Sequence, residues 1–216
     1  MEKLIIGSRG SKLALKYAEI AKKALLRELD IEIEIKKITT EGDLVLDRRT
    51  SEIGGKGEFI KNIENELLSK NIDVAVHSLK DVPSVKTKGL RIECFLRRND
   101  PREVLINKEN LTLDKIKKNS VIGTSSLRRE FQLKHLRPDL NFKLIRGNID
   151  TRIKKLDEDQ YDSIILAKAG LMSLALENRI SEVFECKKIV PPAGQGTIVI
   201  QSREDDDKLN NILSKI

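Results

Sequence analysis

The sequence contains no tryptophan, only 3% aromatic residues, two cysteines, two histidines and five prolines in 216 residues. Each shortage closes a class of function. Recognition of single-stranded nucleic acid relies on aromatic faces for base stacking, and this chain offers few, so nucleic acid is not expected as a partner. Cys94 and Cys186 lie far apart without CxxC spacing, and His77 and His135 are the only histidines. Neither a disulfide framework nor a metal cluster is therefore expected, and a reducing, cytoplasmic setting fits best. No run approaches the ~18 apolar residues that suggest a membrane span. The opening MEKLIIGSRGSKLAL turns polar after KLII, too soon for a signal-peptide core, so no membrane or targeting segment is expected.

What the chain has in quantity is charge. Lys and Arg number 41 against 34 Asp and Glu, and charged residues make up 35% of the sequence beside 39% hydrophobic ones. That balance describes a soluble globular protein with a densely ionised surface. The net charge of +7 favours an anionic partner. At roughly 100–200 residues per domain, the length allows one large domain or two small ones.

The apolar pattern chooses two. Residues 3–6 (KLII) read as a strand, GSRGS as a turn, and 11–29 as a helix with Leu13, Ala14, Tyr17, Ala18, Ala21, Ala24 and Leu25 on one stripe. IEIEIKKI (31–38) alternates with period two, the mark of a strand with one solvated face. Residues 39–58 have weak periodicity and a Gly-rich end and read as a long functional loop, and 59–71 return to helical spacing. IDVAVHS (72–78) reads as a buried strand running into LKDVPS, where Pro83 prevents continuation, and RIECFL (91–96) as another strand.

After the charged segment RRNDPRE (97–103), strand-then-helix units begin again at 120–123, 141–145 and 162–167. A Pro-Pro, Gly-rich crossing then leads to a strand at 197–201 and a closing helix at 205–215. Such alternation predicts an α/β fold of two domains with mainly parallel, mixed sheets. The first takes residues 1–97 plus 197–216 and the second 98–196, with hinges near 97–103 and 190–197 and a ligand cleft between them.

In open parallel sheets, ligands bind beyond the carboxyl ends of the strands, where helix N-termini converge. The strand-to-helix junctions hold Arg9 and Ser11; Ser78, Lys80 and Asp81; Thr124, Ser125, Ser126, Arg128 and Arg129; and Arg146, with Arg152 one turn into its helix. Cations gathered there point to a site for several negative charges, with Arg matching carboxylate or phosphate in bidentate fashion. Each group has a second reading. Ser125 and Ser126 also fit helix capping. Arg128 and Arg129 also fit a solvated face, although arginine in a first turn opposes the helix dipole and favours a ligand anion beside it. Lys56 in GGKG lacks the spacing of a phosphate loop and reads as a turn. His77 reads as a hydrogen-bonded structural residue, His135 as surface and Cys94 as buried and inert. Asp81 is either an ionised acid able to accept a proton or stabilise a cation, or a turn residue satisfied by local amides.

Taken in order, KLIIGSRGSKLAL, TEGDLVLD, GGKGEFIKNIE, DVAVHSLKDVPS, DPREVLI, IGTSSLRREFQL, RPDL, LIRGNIDTRIKKL, AKAGL and VPPAGQGTIVI resemble the porphobilinogen deaminase (hydroxymethylbilane synthase) family over nearly the whole chain. The resemblance implies two periplasmic-binding-protein-like (type II) domains. It implies an enzyme that condenses four porphobilinogen molecules head to tail, releasing ammonia at each step, on a dipyrromethane cofactor as primer. Every pyrrole carries acetate and propionate groups, so the anion anticipated from charge becomes a polycarboxylate. By the match, Arg9, Ser11, Lys80, Arg128, Arg129, Arg146 and Arg152 bind these carboxylates, and Thr124, Ser125 and Ser126 add neutral hydrogen bonds. Ser78 and Gln195 belong to the same binding set, and Lys56 to a lid. Asp81 matches the catalytic aspartate, which pairs with pyrrole nitrogens, assists loss of ammonia and stabilises an azafulvene-like cation.

The sequence also departs from that pattern. The family's third domain carries the cysteine that attaches the cofactor through a thioether; here there is no Gly-Gly-Cys stretch, and neither Cys94 nor Cys186 lies in a matching context. A truncated form is expected, with a separately encoded third domain and a non-covalent primer as the other readings, and otherwise a monomer. Glu52 stands where the family often has a basic residue ahead of GGKG. The competing class is a non-catalytic binding protein for small polycarboxylate anions, since the same architecture serves as a receptor. Asp81 within SLKDVP favours chemistry.

Overall fold

The computed structural model describes residues 3–39 and 60–216; Lys56, Glu52 and most of the long loop read over 39–58 lie outside them. The chain forms two compact units, one from residues 3–39, 60–99 and 196–216, the other from 100–195.

In the first unit, β1 (Lys3–Arg9) leads into α1 (Lys12–Leu25). Ser11 caps the helix by accepting the Ala14 amide at 3.2 Å. Tyr17, Ala18, Ala21 and Leu25 form its buried stripe, and Lys22 and Lys23 in the last turn complement the dipole. The helix stops short of the predicted 29 because the Arg27 amide bonds back to Ala24 at 3.2 Å, a tightened turn that brings Leu29 onto the core. β2 (Glu32–Ile38), α2 (Lys61–Leu68), β3 (Val74–Ser78) and β4 (Leu90–Phe95) follow. The chain's last strand, β10 (Ile198–Arg203), returns to this unit. The sheet order is β2-β1-β3-β10-β4, with β2 and β3 parallel to β1 and β10 antiparallel to both β3 and β4. β2 is an edge strand, in keeping with its alternating pattern. One face of the sheet packs Leu4, Ile6 and Val76 on α1; the other packs Ala75 and Ile72 on Ile63 and Leu67 of α2.

The second unit contains β5 (Glu103–Ile106), β6 (Val121–Gly123), α3 (Leu127–Leu136), β7 (Asn141–Lys143), α4 (Ile149–Asp157), β8 (Ser163–Ala167), α5 (Lys168–Ser173) and β9 (Glu182–Val183). Its order is β7-β6-β8-β5-β9, with β7 and β8 parallel to β6 and β5 antiparallel to β8 and β9. Both faces of the sheet are covered, so VLI of β5 and SIILA of β8 are continuous apolar or neutral runs rather than alternating ones. The helix expected over 168–178 ends early. Ala175 adopts φ 55°, and the Leu176 and Ala175 amides bond back to Leu171 and Met172 at 2.9 and 3.2 Å, which closes the helix in a Schellman motif. The two sheets are thus mixed α/β sheets of one shared topology. β5 and β9 were not anticipated; β5 begins inside the segment read as a hinge. The closing helix is α6 (Asp207–Leu213), capped by Asp206. Among the described residues no helix is long and apolar enough to cross a membrane.

Candidate functional site

In the first unit, Arg9 ends β1 opposite Ile38, and Ser11 follows as the cap of α1. Ser78 ends β3 opposite Ile198, and the chain makes one 3-10 turn, Leu79–Asp81, before Pro83. That turn is held by two backbone bonds, Leu79 N–H to the Thr197 carbonyl at 2.9 Å and Val82 N–H to that of Leu79 at 3.1 Å. Ser78, Lys80 and Asp81 are all half-buried. Among the described residues the Asp81 carboxylate accepts no hydrogen bond from its own turn, so the local-amide reading fails.

His77 lies behind this turn, buried, in a relay running away from it. Thr87 Oγ1 donates to Glu64 Oε2 at 2.7 Å, Gln201 Nε2 donates to Glu64 Oε1 at 2.7 Å, and Gln201 Oε1 meets His77 Nε2 at 2.9 Å. A carboxylate only accepts, so Gln201 presents its amide nitrogen to Glu64 and its oxygen to His77, and His77 Nε2 is the donor. Burial pushes the His77 pKa down, with Arg9 helping, against the opposing pull of Gln201, Glu64 and Asp81. His77 is therefore a neutral, hydrogen-bonded structural residue.

In the second unit, the end of β6 opens into Thr124, Ser125 and Ser126 ahead of α3. Thr124 is buried, and its Oγ1 accepts the Ser126 amide at 3.2 Å. Ser126 caps α3 by accepting the Arg129 amide at 3.4 Å; Ser125 is half-buried. The two first-turn arginines do have an anion beside them, and the protein supplies it. Glu103, fully buried, gives Oε1 to Arg128 Nη2 and Oε2 to Arg129 Nη2, the latter at 2.7 Å. Arg128 Nη1 also donates to the Val190 carbonyl and Arg129 Nη1 to that of Ile165 at 3.2 Å, while the buried Nε of Arg129 makes no hydrogen bond. Burial alone would raise the Glu103 carboxyl, but Arg129 and Arg128 together outweigh it and hold it below the usual carboxylate range.

Two further arginines join them. Arg146 is buried, and Gly147, at φ 111°, turns the chain so that its carbonyl accepts Arg152 Nε at 2.8 Å. Burial, then the fields of Arg129 and Arg146, push the Arg152 pKa down to about 10. Arg128 and Arg129 thus meet one carboxylate, Glu103, and Arg152 lies in the field of Arg129 and Arg146. Gln195, expected among the ligand contacts, is buried and donates Nε2 to the Pro101 carbonyl at 2.7 Å.

Glu103 escaped sequence reading because it sat in a run read as a charged hinge. The available signal was a pair of arginines at the positive end of a helix, which calls for an internal acid. Cys94 is buried, and burial pushes its thiol up to about 11; Cys186 is exposed. No cluster of metal-ligating side chains occurs among the described residues.

Residues 4–211 match the family described as Porphobilinogen deaminase, dipyromethane cofactor binding domain. The porphobilinogen deaminase of Oceanobacillus iheyensis is 48% identical over 221 residues, and that of Bacillus thuringiensis (strain Al Hakam) 47% over 218. Each match covers all of this chain and 71% of the relative. Among solved structures, an ancestral cationic amino acid solute binding protein aligns with a TM-score of 0.61 at 15% identity, over 99% of this chain and 87% of that one. A Salmonella typhimurium periplasmic binding protein of high arginine specificity aligns with a TM-score of 0.55 at 12% identity, over 100% and 91%. At such identities the structures speak for the fold alone, which is periplasmic-binding-protein-like, type II.

Proposed function

The chain belongs to the porphobilinogen deaminase family, and from that membership we propose that it condenses four porphobilinogen molecules into hydroxymethylbilane with loss of ammonia at each step. The observation that carries the reading is the run of neighbouring guanidinium groups, Arg128 and Arg129 on Glu103 and Arg152 in the field of Arg129 and Arg146. Arg128 and Arg129 share one internal acid, and burial, then the fields of Arg129 and Arg146, lower the pKa of Arg152. Such a cluster gains stability from added carboxylates, and each pyrrole brings an acetate and a propionate.

Arg128, Arg129, Arg146 and Arg152 bind those carboxylates, with Thr124, Ser125 and Ser126 as neutral donors. On the first unit, Arg9, Ser11, Ser78 and Lys80 hold the part of the substrate that reacts. Lys56 covers it. Gln195 acts at one remove, by tying the Pro101 carbonyl. Asp81 does the chemistry. Its carboxylate, uncommitted among the described residues, accepts the pyrrole N–H and stabilises the positive charge left when ammonia departs.

The dipyrromethane cofactor suits the same donors, because Arg129 carries a buried Nε whose hydrogen bond is unmade among the described residues. Arg129, Arg146 and Arg152 would hold it. When bound, it supplies the nucleophilic pyrrole carbon on which the chain grows. Cys94, kept as a thiol by burial, is not its attachment point.

The test is to incubate the protein with porphobilinogen and measure ammonia. One ammonia per porphobilinogen consumed is expected. Porphobilinogen bound but recovered unchanged would overturn the reading in favour of a binding protein.

A further inference from the structure

Glu103 is the first residue of β5, and because β5 runs antiparallel to β8 it lies opposite Ala167, at the carboxyl ends of the parallel strands. A fully buried acid at the edge where ligands collect is costly to desolvate and needs a reason to stand there. Its two oxygens are divided between two guanidinium groups, one to Arg128 and one to Arg129. The position between two adjacent guanidinium groups at the start of a helix is also where a small tetrahedral anion binds best, chelated by both forks and facing the helix amides. Glu103 occupies it.

We propose that Glu103 is a specificity-determining positioning residue. Its carboxylate fills the inner side of the Arg128–Arg129 pair, so that the pair offers a ligand only its remaining N–H groups and takes up inorganic phosphate or sulfate poorly. The reach of a flexible acetate or propionate suits those remaining groups, chiefly on the more exposed Arg128; a compact dianion, deprived of the chelating position, does not. The substrate half of this statement rests on the activity proposed above. The anion half rests on the ion pairs alone. Glu103 acts through the two arginines and touches no substrate.

The decisive variant is Glu103→Gln in the full chain, which keeps the shape, removes the charge and turns an amide donor toward one guanidinium. Thermal denaturation is followed with sodium phosphate against sodium chloride at equal ionic strength, alongside steady-state kinetics with porphobilinogen. In the wild type, phosphate should stabilise no more than chloride. In E103Q it should stabilise and compete with substrate, its half-effective concentration falling at least about tenfold, the scale of one charge-assisted hydrogen bond. KM should rise more than kcat falls. Glu103→Asp, which keeps the charge, should restore tolerance of phosphate.

If E103Q has a lower melting temperature but wild-type KM and wild-type indifference to phosphate, Glu103 is a structural ion-pair residue and the proposal fails. It fails equally if E103D is as phosphate-sensitive as E103Q. Should E103Q fold only in phosphate, the anion has replaced the carboxylate and the proposal stands; should it stay unfolded in phosphate as without it, the proposal falls. The denaturation arm needs no turnover. A wild type that leaves porphobilinogen unconsumed would refute the activity and still let this role of Glu103 be decided.

Discussion

The two sheets repeat one topology, and the strand that reverses direction in each shows where they part. In the first unit it is β10, whose first residue, Ile198, lies opposite Ser78 at the carboxyl end of β3. In the second it is β5, whose first residue, Glu103, lies opposite Ala167 at the carboxyl end of β8. One unit places a buried isoleucine at this point, and the other a buried carboxylate committed to two arginines. The first unit has its acid elsewhere. Asp81 follows β3 in a turn with two backbone bonds, half-buried, and its carboxylate is left uncommitted among the described residues. The difference separates two uses of a carboxylate: an acid saturated by internal partners organises charge, and an acid left open can meet a reacting centre.

The sharpest way to break this contrast is to delete each acid and ask which quantity moves. Asp81→Ala should cut turnover by about 10²–10⁴-fold, the usual worth of a positioned acid–base group. Its melting temperature should not change, and porphobilinogen binding should stay near wild type, as isothermal titration would show. Equal loss of binding would make Asp81 a binding or structural residue. Glu103→Leu should do the reverse to stability. Arg129, almost fully enclosed, loses its counter-ion, and removal of one partner from a buried pair costs about 3–5 kcal/mol. Urea denaturation checks this, and a variant as stable as wild type would show that the arginines find solvent or another acid at no cost.

Much of this was legible in the sequence, and the limits have physical causes. The alternation of apolar runs with amphipathic helices reveals the α/β architecture because parallel strands are buried on both faces and helices on one. The same logic brings Arg9, Asp81, Arg128 and Arg146 to strand ends, since in this topology every strand-to-helix turn after a parallel strand falls on one edge. What periodicity could not reveal was a strand of four residues that starts with a charged one, as β5 does, or a strand of two, as β9 is. Nor could it reveal Glu103 as a partner of Arg128 and Arg129. They lie 25 and 26 positions apart, and only the antiparallel return of β5 beside β8 brings them together. The dipole argument anticipated a ligand anion by the first turn of α3; the anion that stands there is the chain's own Glu103.

The smallest effect is one of pH, and it sharpens the comparison by unit. His77 in the first unit has its pKa pushed down mainly by burial, and Asp100 in the second has its own held well below the usual range by Arg102 and then Lys168, against burial. For both groups the folded pKa is lower than the unfolded one. The associated stability is therefore present above the unfolded pKa and lost as pH falls through it. The unfolded values are about 6.5 for His and about 3.9 for Asp. The first unit should accordingly begin to loosen as pH drops below neutrality, by at most about 1.4 kcal/mol per pH unit, the slope for a single proton. The second should hold until about pH 4–5, where the unfolded-state carboxyls of Glu103 and then Asp100 start to take up protons. The groups facing His77 oppose each other, Glu64 and Asp81 favouring its charged form and Arg9 disfavouring it, so burial decides the direction. Amide exchange read separately for the two units between pH 7.5 and 5 checks this. His77→Gln should flatten the response of the first unit alone, and equal acid sensitivity in both units would mean that His77 is not the group that titrates.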